Sequence, residues 1–337
     1  NQYIKLAKKA RVGADFAISQ IGWDMPKLRD LLTWLRMRGL NIPVMASFMA
    51  LPGGVAQRIH DGRIPGVIVT EDLLRRVRED ADTPDKGQAV RTRRLALQLV
   101  YAKRIGMAGA QLTGIHNARR ASELLDLMDA LDQELPDDAA WQAAWDDSLR
   151  LADGSIARTA PDGGYYWGQT ISPAVSHGER VPSQPGIAER AKFGFMHWIH
   201  RTCFEAGAPA AGLLGAASRI DMLEPLLTGA EIATKKPIAG CQTCGFCRLP
   251  YTQYVCPETC PKGLANGPCG GTSTNRCEFG DRECIHNARY RLAKAAGRLN
   301  DLEELIVPPV PDTRGTCSWT NHFEGRDPVV IRLKPSS

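Results

Sequence analysis

The sequence predicts an α/β protein: a parallel strand–helix block over residues 1–135, then a small cysteine-rich metal-binding domain at 238–300. Two observations carry this. Before Pro136, short apolar runs alternate with amphipathic helical patterns, a rhythm typical of parallel strands connected by crossover helices. Further on, eight of the ten cysteines fall between Cys241 and Cys284, in a stretch so rich in thiol, glycine and proline that its own side chains cannot build an apolar core. Such a segment has to be stapled.

In chain order, Tyr3–Arg11 reads as the end of a helix. Residues 13–20 read as a buried strand with a polar end at Gln20. Asp24 and Lys27 open an amphipathic helix to about Arg38, with Leu28, Leu31, Leu32 and Leu35 on one face. A strand over Ile42–Phe48 follows, then short helical pieces at Val55–His60 and Glu71–Arg78 around the loop 62–66. A long helix at Lys86–Ile105, a strand at Ala108–Gly114 and a helix at Ala118–Leu131 complete the block. Three strands are too few for a complete (β/α)8 barrel or an open doubly wound sheet. The block is therefore expected to be part of a barrel.

Residues 136–237 form a connecting region. It holds Trp141, Trp145 and an aromatic loop, Tyr165, Tyr166 and Trp167, read as domain packing with a ligand cover as the alternative. Ile187–Phe204 is a strong amphipathic helix and Ser218–Leu227 a shorter one, while Pro237 leads into the cysteines. Helix is expected again over Arg282–Gly297, before an extended, proline-punctuated tail at 301–337.

Composition narrows the class. The 337 residues are 43% hydrophobic and 23% charged, ordinary for a globular protein. The net charge of +5 is spread among interspersed acids and bases, which reads as a solvated surface without a nucleic-acid partner. The longest weakly polar run, 206–217, is too short and glycine-rich to span a bilayer, so no membrane association is expected. Asn1 is not followed by a charged-then-apolar leader, so a cytoplasmic protein with reduced thiols is expected, and a chain missing its natural start fits the same observation.

The cysteines run C-x2-C-x2-C-x8-C-x3-C-x8-C-x7-C-x6-C, making Cys241, Cys244, Cys247, Cys256, Cys260, Cys269, Cys277 and Cys284 the candidate metal ligands. Thiolates at C-x2-C spacing close on one metal because the turn between them aims backbone N–H groups at the sulfurs. Three within seven residues also suit an iron–sulfur cluster completed by a remote cysteine, either Cys256 or Cys260. The remaining four would suffice for zinc or a second cluster. No Asp or His lies between Cys241 and Cys277, which disfavours an open catalytic zinc site. A closed zinc knot, an electron-carrying cluster and a disulfide framework all stay open on spacing alone. His286 reads as a helix-surface residue, and Cys203 and Cys317 as ordinary thiols.

The order Cys241-x2-Cys244-Gly-x-Cys247, Cys256-Pro-Glu-Thr-Cys260-Pro-Lys262, Asn266-Gly-Pro-Cys269-Gly-Gly271, Cys277-Glu278, then Cys284 before a helix is specific. It resembles the cysteine-rich C-terminal domain attached to, or partnered with, some bacterial methylenetetrahydrofolate reductases. The run Ser318-Trp319-Thr320-Asn321-His322-Phe323-x2-Arg326-Asp327 is similar to the tail of those proteins. Lys8-Lys9-x3-Gly13 through Gln20 resembles the reductase's sixth barrel strand with its preceding helix, residues 39–44 the seventh strand, and 106–117 the eighth.

That resemblance implies the C-terminal portion of a (β/α)8 TIM barrel, strands six to eight, with the first five strands absent or supplied elsewhere. It also implies FAD-dependent reduction of 5,10-methylenetetrahydrofolate to 5-methyltetrahydrofolate, and an oligomer served by a redox partner or reductase subunit. Gln20 matches the glutamine on the pterin edge, Lys9 the lysine near the FAD diphosphate, and Ile59 aligns approximately with a phenylalanine stacking near nicotinamide or folate. His116 is a candidate substrate contact, and Asn117 stands where the family carries arginine, with Arg119 and Arg120 close by. The catalytic residues remain unassigned, since the acid that protonates folate would come from the missing half. Residues 46–52 depart from the family's Pro-Gly-Ile-x-Pro, so NADH is not the expected direct reductant. The alternative is a non-catalytic electron-transfer or scaffold subunit with an iron–sulfur or structural zinc domain.

Overall fold

A computed structural model describes residues 1–160, 184–272, 275–280, 282–310 and 312–334. The aromatic loop at 165–167 lies outside the described residues. The chain divides into two compact units, one built from 12–180 with 270–274, the other from 1–11, 181–269 and 275–337. The opening helix α1 (Gln2–Arg11) belongs to the second.

The first unit is a mixed α/β structure. Its elements are β1 (Ala17–Ile21), α2 (Met25–Met37), β2 (Val44–Met49), α3 (Gly53–His60), α4 (Glu71–Asp80), α5 (Gln88–Ile105), β3 (Gly109–Thr113), α6 (Ala118–Glu134) and α7 (Asp138–Ser148). The three strands pair in parallel in the order β1-β2-β3, with Ala17 opposite Val44 and Met45 opposite Gly109. This is the expected topology of strands joined by helical crossovers. The described residues show a three-stranded sheet, not a closed barrel.

Burial follows position in that sheet. In the central strand, Val44, Ala46 and Phe48 are buried, and α5 packs nearby with Leu95, Leu97 and Val100 inside. On β1, by contrast, Ile18 is 48% exposed, and Phe16 just before the strand is 56% exposed. Helix starts are fixed by side-chain caps: Thr70, Asn117 and Asp137 accept from the backbone N–H of Leu73, Arg120 and Ala140. The Asp137 cap opens α7, a helix not anticipated from the sequence. Its Trp141 ring lies tilted 4.4 Å from that of Tyr101 and donates Nε1 to the Leu97 carbonyl at 2.9 Å. Arg94 and Asp80 form a buried ion pair at 2.8 Å.

The second unit adds α8 (Ile187–Cys203), α9 (Ala211–Ser218), α10 (Glu224–Ala239), α11 (Ile285–Ala295), α12 (Leu299–Glu304), β4 (Leu305–Ile306), α13 (Ser318–Phe323) and β5 (Ile331–Arg332). Strands β4 and β5 pair antiparallel. Three expectations are corrected here. The short helix read at 218–227 is instead the long α10, which carries Pro237 inside its last turn and stops at Gly240, in the left-handed region with φ of 63°. Proline in the last turn removes one helix hydrogen bond, and the helix ends two residues later at Ala239. The tail is not wholly extended, because α12, β4 and α13 lie within it. Finally, His286 is no surface residue: it is 4% exposed on α11, with its pKa pushed down to about 3 by burial and by neighbouring Arg289.

One apolar cluster of this unit is small, consisting of Met196, Ala239, Leu249, Tyr254 and Cys256. Charged networks are buried in the unit as well. Buried Arg291 is held by Glu189 and Glu283, Arg248 pairs with Glu258, and Arg289 donates Nε to Gln253 Oε1 at 3.1 Å. Lys8 of α1 donates to the Leu305 carbonyl at 2.7 Å.

Candidate metal centre

The first three cysteines follow α10 in a loop whose backbone is set by Gly245. Gly245 has φ of +74°, and a Cβ there would stand 2.1 Å from the Thr313 carbonyl oxygen, so glycine is required. The segment 313–321 then clamps the loop. Thr313 Oγ1 donates to the Cys244 carbonyl at 3.0 Å, Gly315 N to Thr243 O at 2.9 Å, and Asn321 Nδ2 to Gly245 O at 2.7 Å. Cys256 is presented by a 3-10 turn at Pro257–Thr259, whose Thr259 hydroxyl donates back to the Cys256 carbonyl at 2.6 Å.

These constraints bring Cys241, Cys244, Cys247 and Cys256 to one cavity of about 20 Å³, whose wall also carries Glu231, Lys235 and Ser318. Backbone N–H groups of Thr243, Phe246 and Glu258 face the sulfurs of Cys241, Cys244 and Cys256, in each case from two residues ahead. That pattern stabilises thiolate, the form that binds metal. Burial acts the other way, pushing all three thiols up, Cys256 to about 11. Lys235 supplies the opposing charge. Burial disfavours its ammonium, yet Cys247 and Glu231 outweigh that and raise its pKa above the usual lysine value. Its Nζ lies 3.0 Å from both Glu231 Oε1 and Ser318 Oγ.

Among the described residues, no three His, Cys, Asp or Glu side chains are gathered into a ligating cluster, so the four sulfurs share a cavity without closing on a common point. Their chemistry nevertheless suits a thiophilic metal: four sulfur donors, N–H groups aimed at three of them, and a buried cation beside the fourth. A cavity of about 20 Å³ takes one ion as it stands.

Three of the other four thiols lie near two lysines. Lys262 senses Cys260 and Cys269, and Lys5 senses Cys269 and Cys284. A reversed turn carries Cys277 and Cys284, with Cys277 N donating to Arg282 O and Cys284 N to Asn275 O, both at 3.0 Å. All ten cysteines are free thiols; Cys317 is fully buried and Cys203 half-buried.

The sites inferred by resemblance sit elsewhere. Gln20, exposed at the end of β1, accepts from Ile21 N through Oε1 at 3.0 Å and approaches the Gly270 carbonyl through Nε2 at 3.4 Å. Gly66 faces the same carbonyl so closely that a Cβ there would meet it at 1.9 Å. His116 and Asn117 are exposed past β3, and the Asn117 side chain is engaged as the cap of α6. Ile59 is buried within α3. Lys9 is exposed on α1, in the other unit. Sequence reasoning missed Glu231, Lys235 and Arg248. The first two are spaced i,i+4 on one helix, a legible ion-pair signal.

A family model described as "Methylene-tetrahydrofolate reductase C terminal" matches residues 220–312, a span that contains all eight clustered cysteines. No curated protein and no solved structure matches the chain. The match relates this part of the chain to the C-terminal part of methylenetetrahydrofolate reductases. Among the described residues no helix is long and apolar enough to cross a membrane.

Proposed function

We propose that the chain is part of a cytoplasmic, methylenetetrahydrofolate reductase-like flavoprotein of one-carbon metabolism, with a metal–thiolate centre in its C-terminal domain. One observation carries the reading: the 220–312 match falls on the segment where four cysteines line a single cavity. Cys241, Cys244, Cys247 and Cys256 would hold the first metal, which selects Cys256 over Cys260 as the remote ligand. Cys260, Cys269, Cys277 and Cys284 are the candidates for a second.

The strand block supports the barrel half of the reading. Its parallel β1-β2-β3 order suits strands six to eight of a (β/α)8 barrel, and the exposed Phe16 and Ile18 suit an edge that further strands would cover. FAD, when bound, supplies the hydride that converts 5,10-methylenetetrahydrofolate to 5-methyltetrahydrofolate. Gln20 would orient the pterin edge, since its amide can donate and accept at once, and Lys9 would offer a point cation to the FAD diphosphate. A second reading, an electron-transfer or scaffold subunit, draws on Asn117: a helix cap occupies the place where the family carries arginine.

Anaerobically purified full-length protein decides between them. The flavoprotein reading expects a yellow preparation with stoichiometric FAD and methylenetetrahydrofolate-dependent oxidation of the reduced flavin, lost in Gln20→Ala. Absence of FAD would leave only the second reading.

A further inference from the structure

Beside the thiols lies a much larger cavity, about 420 Å³, within the same unit. We propose that it binds a small, neutral, planar aromatic molecule bearing carbonyl groups. This goes beyond the proposed function and rests on the cavity alone.

Size comes first. The volume lies within the range of about 300–1,000 Å³ typical of small-molecule sites, far above what an ion or a few waters need. Shape follows from the wall. Phe204 stacks with His200 at 6.4 Å between ring centroids and stands 5.8 Å from Trp319. Aromatic walls of this kind favour a flat ring offset-stacked or edge-on against them.

Charge disfavours an anion. The charged groups at the wall are already paired, Asp327 through one oxygen only. Lys235 meets Glu231 at 3.0 Å, and His322 holds Asp327 through Nδ1 at 2.8 Å while its Nε2 contacts the Phe204 carbonyl at 3.0 Å. An anion entering here would be desolvated without a free counter-charge, which costs several kcal/mol. Four polar groups at the wall are left over. The Tyr251 hydroxyl and the His200 ring nitrogens have no hydrogen-bond partner among the described residues, and neither do the buried Trp319 Nε1 and Asp327 Oδ1. Tyr251, His200 and Trp319 can each donate to a carbonyl oxygen, and Asp327 Oδ1 can accept from a ligand N–H or O–H.

Position gives the site its interest. Lys235, Cys247, Leu249 and Ser318 line both this cavity and the thiol cavity. A ligand seated here would stand against the residue proposed to ligate the metal.

The test uses 2,3-dimethyl-1,4-naphthoquinone, whose substituted 2 and 3 positions block conjugate addition by thiols. Calorimetry on the full chain should give saturable binding of one equivalent. Leu214→Trp, which narrows the cavity, should weaken it by about tenfold or more, and Tyr251→Phe by about three- to tenfold. Leu125→Trp, in the other unit, should leave it unchanged. Metal content equal to wild type in Leu214→Trp would show that this variant still folds. Lack of saturable binding, indifference to Leu214→Trp, or tighter binding of naphthalene-2-sulfonate than of the neutral quinone would overturn the proposal. Quinone binding by a protein without metal would sink the metal reading and leave this one standing.

Discussion

The two units bury different things. The strand unit is stabilised by side chains such as Trp23, Phe48, Leu73, Leu95 and Leu97, all no more than 2% exposed. The cysteine-bearing unit buries apolar side chains such as Phe246, Leu249 and Val307, but with them a larger set of polar ones than the strand unit does: Lys8, Glu231, Lys235, Arg248, Gln253, His286, Arg289 and Arg291. An apolar core tolerates repacking so long as volume and pattern are kept. A charged interior does not, because each buried group is costly without its one partner. The first unit is therefore specified by pattern, the second by particular pairs and by its thiols.

This contrast can be broken most directly at the thiols. Cys244→Ser, or a strong chelator, should unfold the cysteine-bearing unit and leave the strand unit standing, since structural metal sites contribute about 10 kcal/mol or more to folding. Limited proteolysis would show cuts spreading through 240–284 while 12–160 stays protected. Equal loss of both units would contradict the division. The converse variant is Phe48→Ala, which removes a fully buried ring from the central strand and should cost about 3–5 kcal/mol in urea unfolding, with metal content unchanged.

Arg248→Met sharpens the comparison further. Among the described residues it leaves Glu258 with only the exposed Arg314, at 2.6 Å, and should cost about 3 kcal/mol. Replacing Glu258 by Met as well should recover much of that loss. A double variant no better than the single one would show that the pair matters by shape, not charge.

The smallest effect is in pH. Asp327 beside His322 raises the imidazole pKa against partial burial. A group whose folded pKa lies above its unfolded value stabilises fully below the unfolded value, near 6.5, and the contribution fades as pH rises through the folded one. Stability should therefore drop slightly from pH 6 to 8, and Asp327→Asn should flatten that slope. The pair is partly exposed, so the change is small.

What could be read in the sequence follows the same division. Helix α5 and the three strands were legible because apolar periodicity alone defines them. Helix α7 was hidden by its acidic composition, although Trp141 and Trp145 stand i,i+4 on its inner face. In the other unit, spacing offered Cys256 and Cys260 equally as the remote ligand. Only tertiary structure separates them: the 3-10 turn after Cys256 presents it to the cavity that Cys241, Cys244 and Cys247 line, while Cys260 is not in that wall. Polar residues at the start of α11 look solvent-facing until tertiary packing buries them, and His286 was misread for that reason.

The central claim is that Cys241, Cys244, Cys247 and Cys256 hold one metal. Iron, zinc and acid-labile sulfide should be quantified on anaerobically purified full-length protein, beside Cys256→Ser and Cys203→Ser. The claim predicts bound metal in the wild type, a loss equal to one centre in Cys256→Ser, and no change in Cys203→Ser. Wild-type protein without metal, or Cys256→Ser with full metal content, would contradict it.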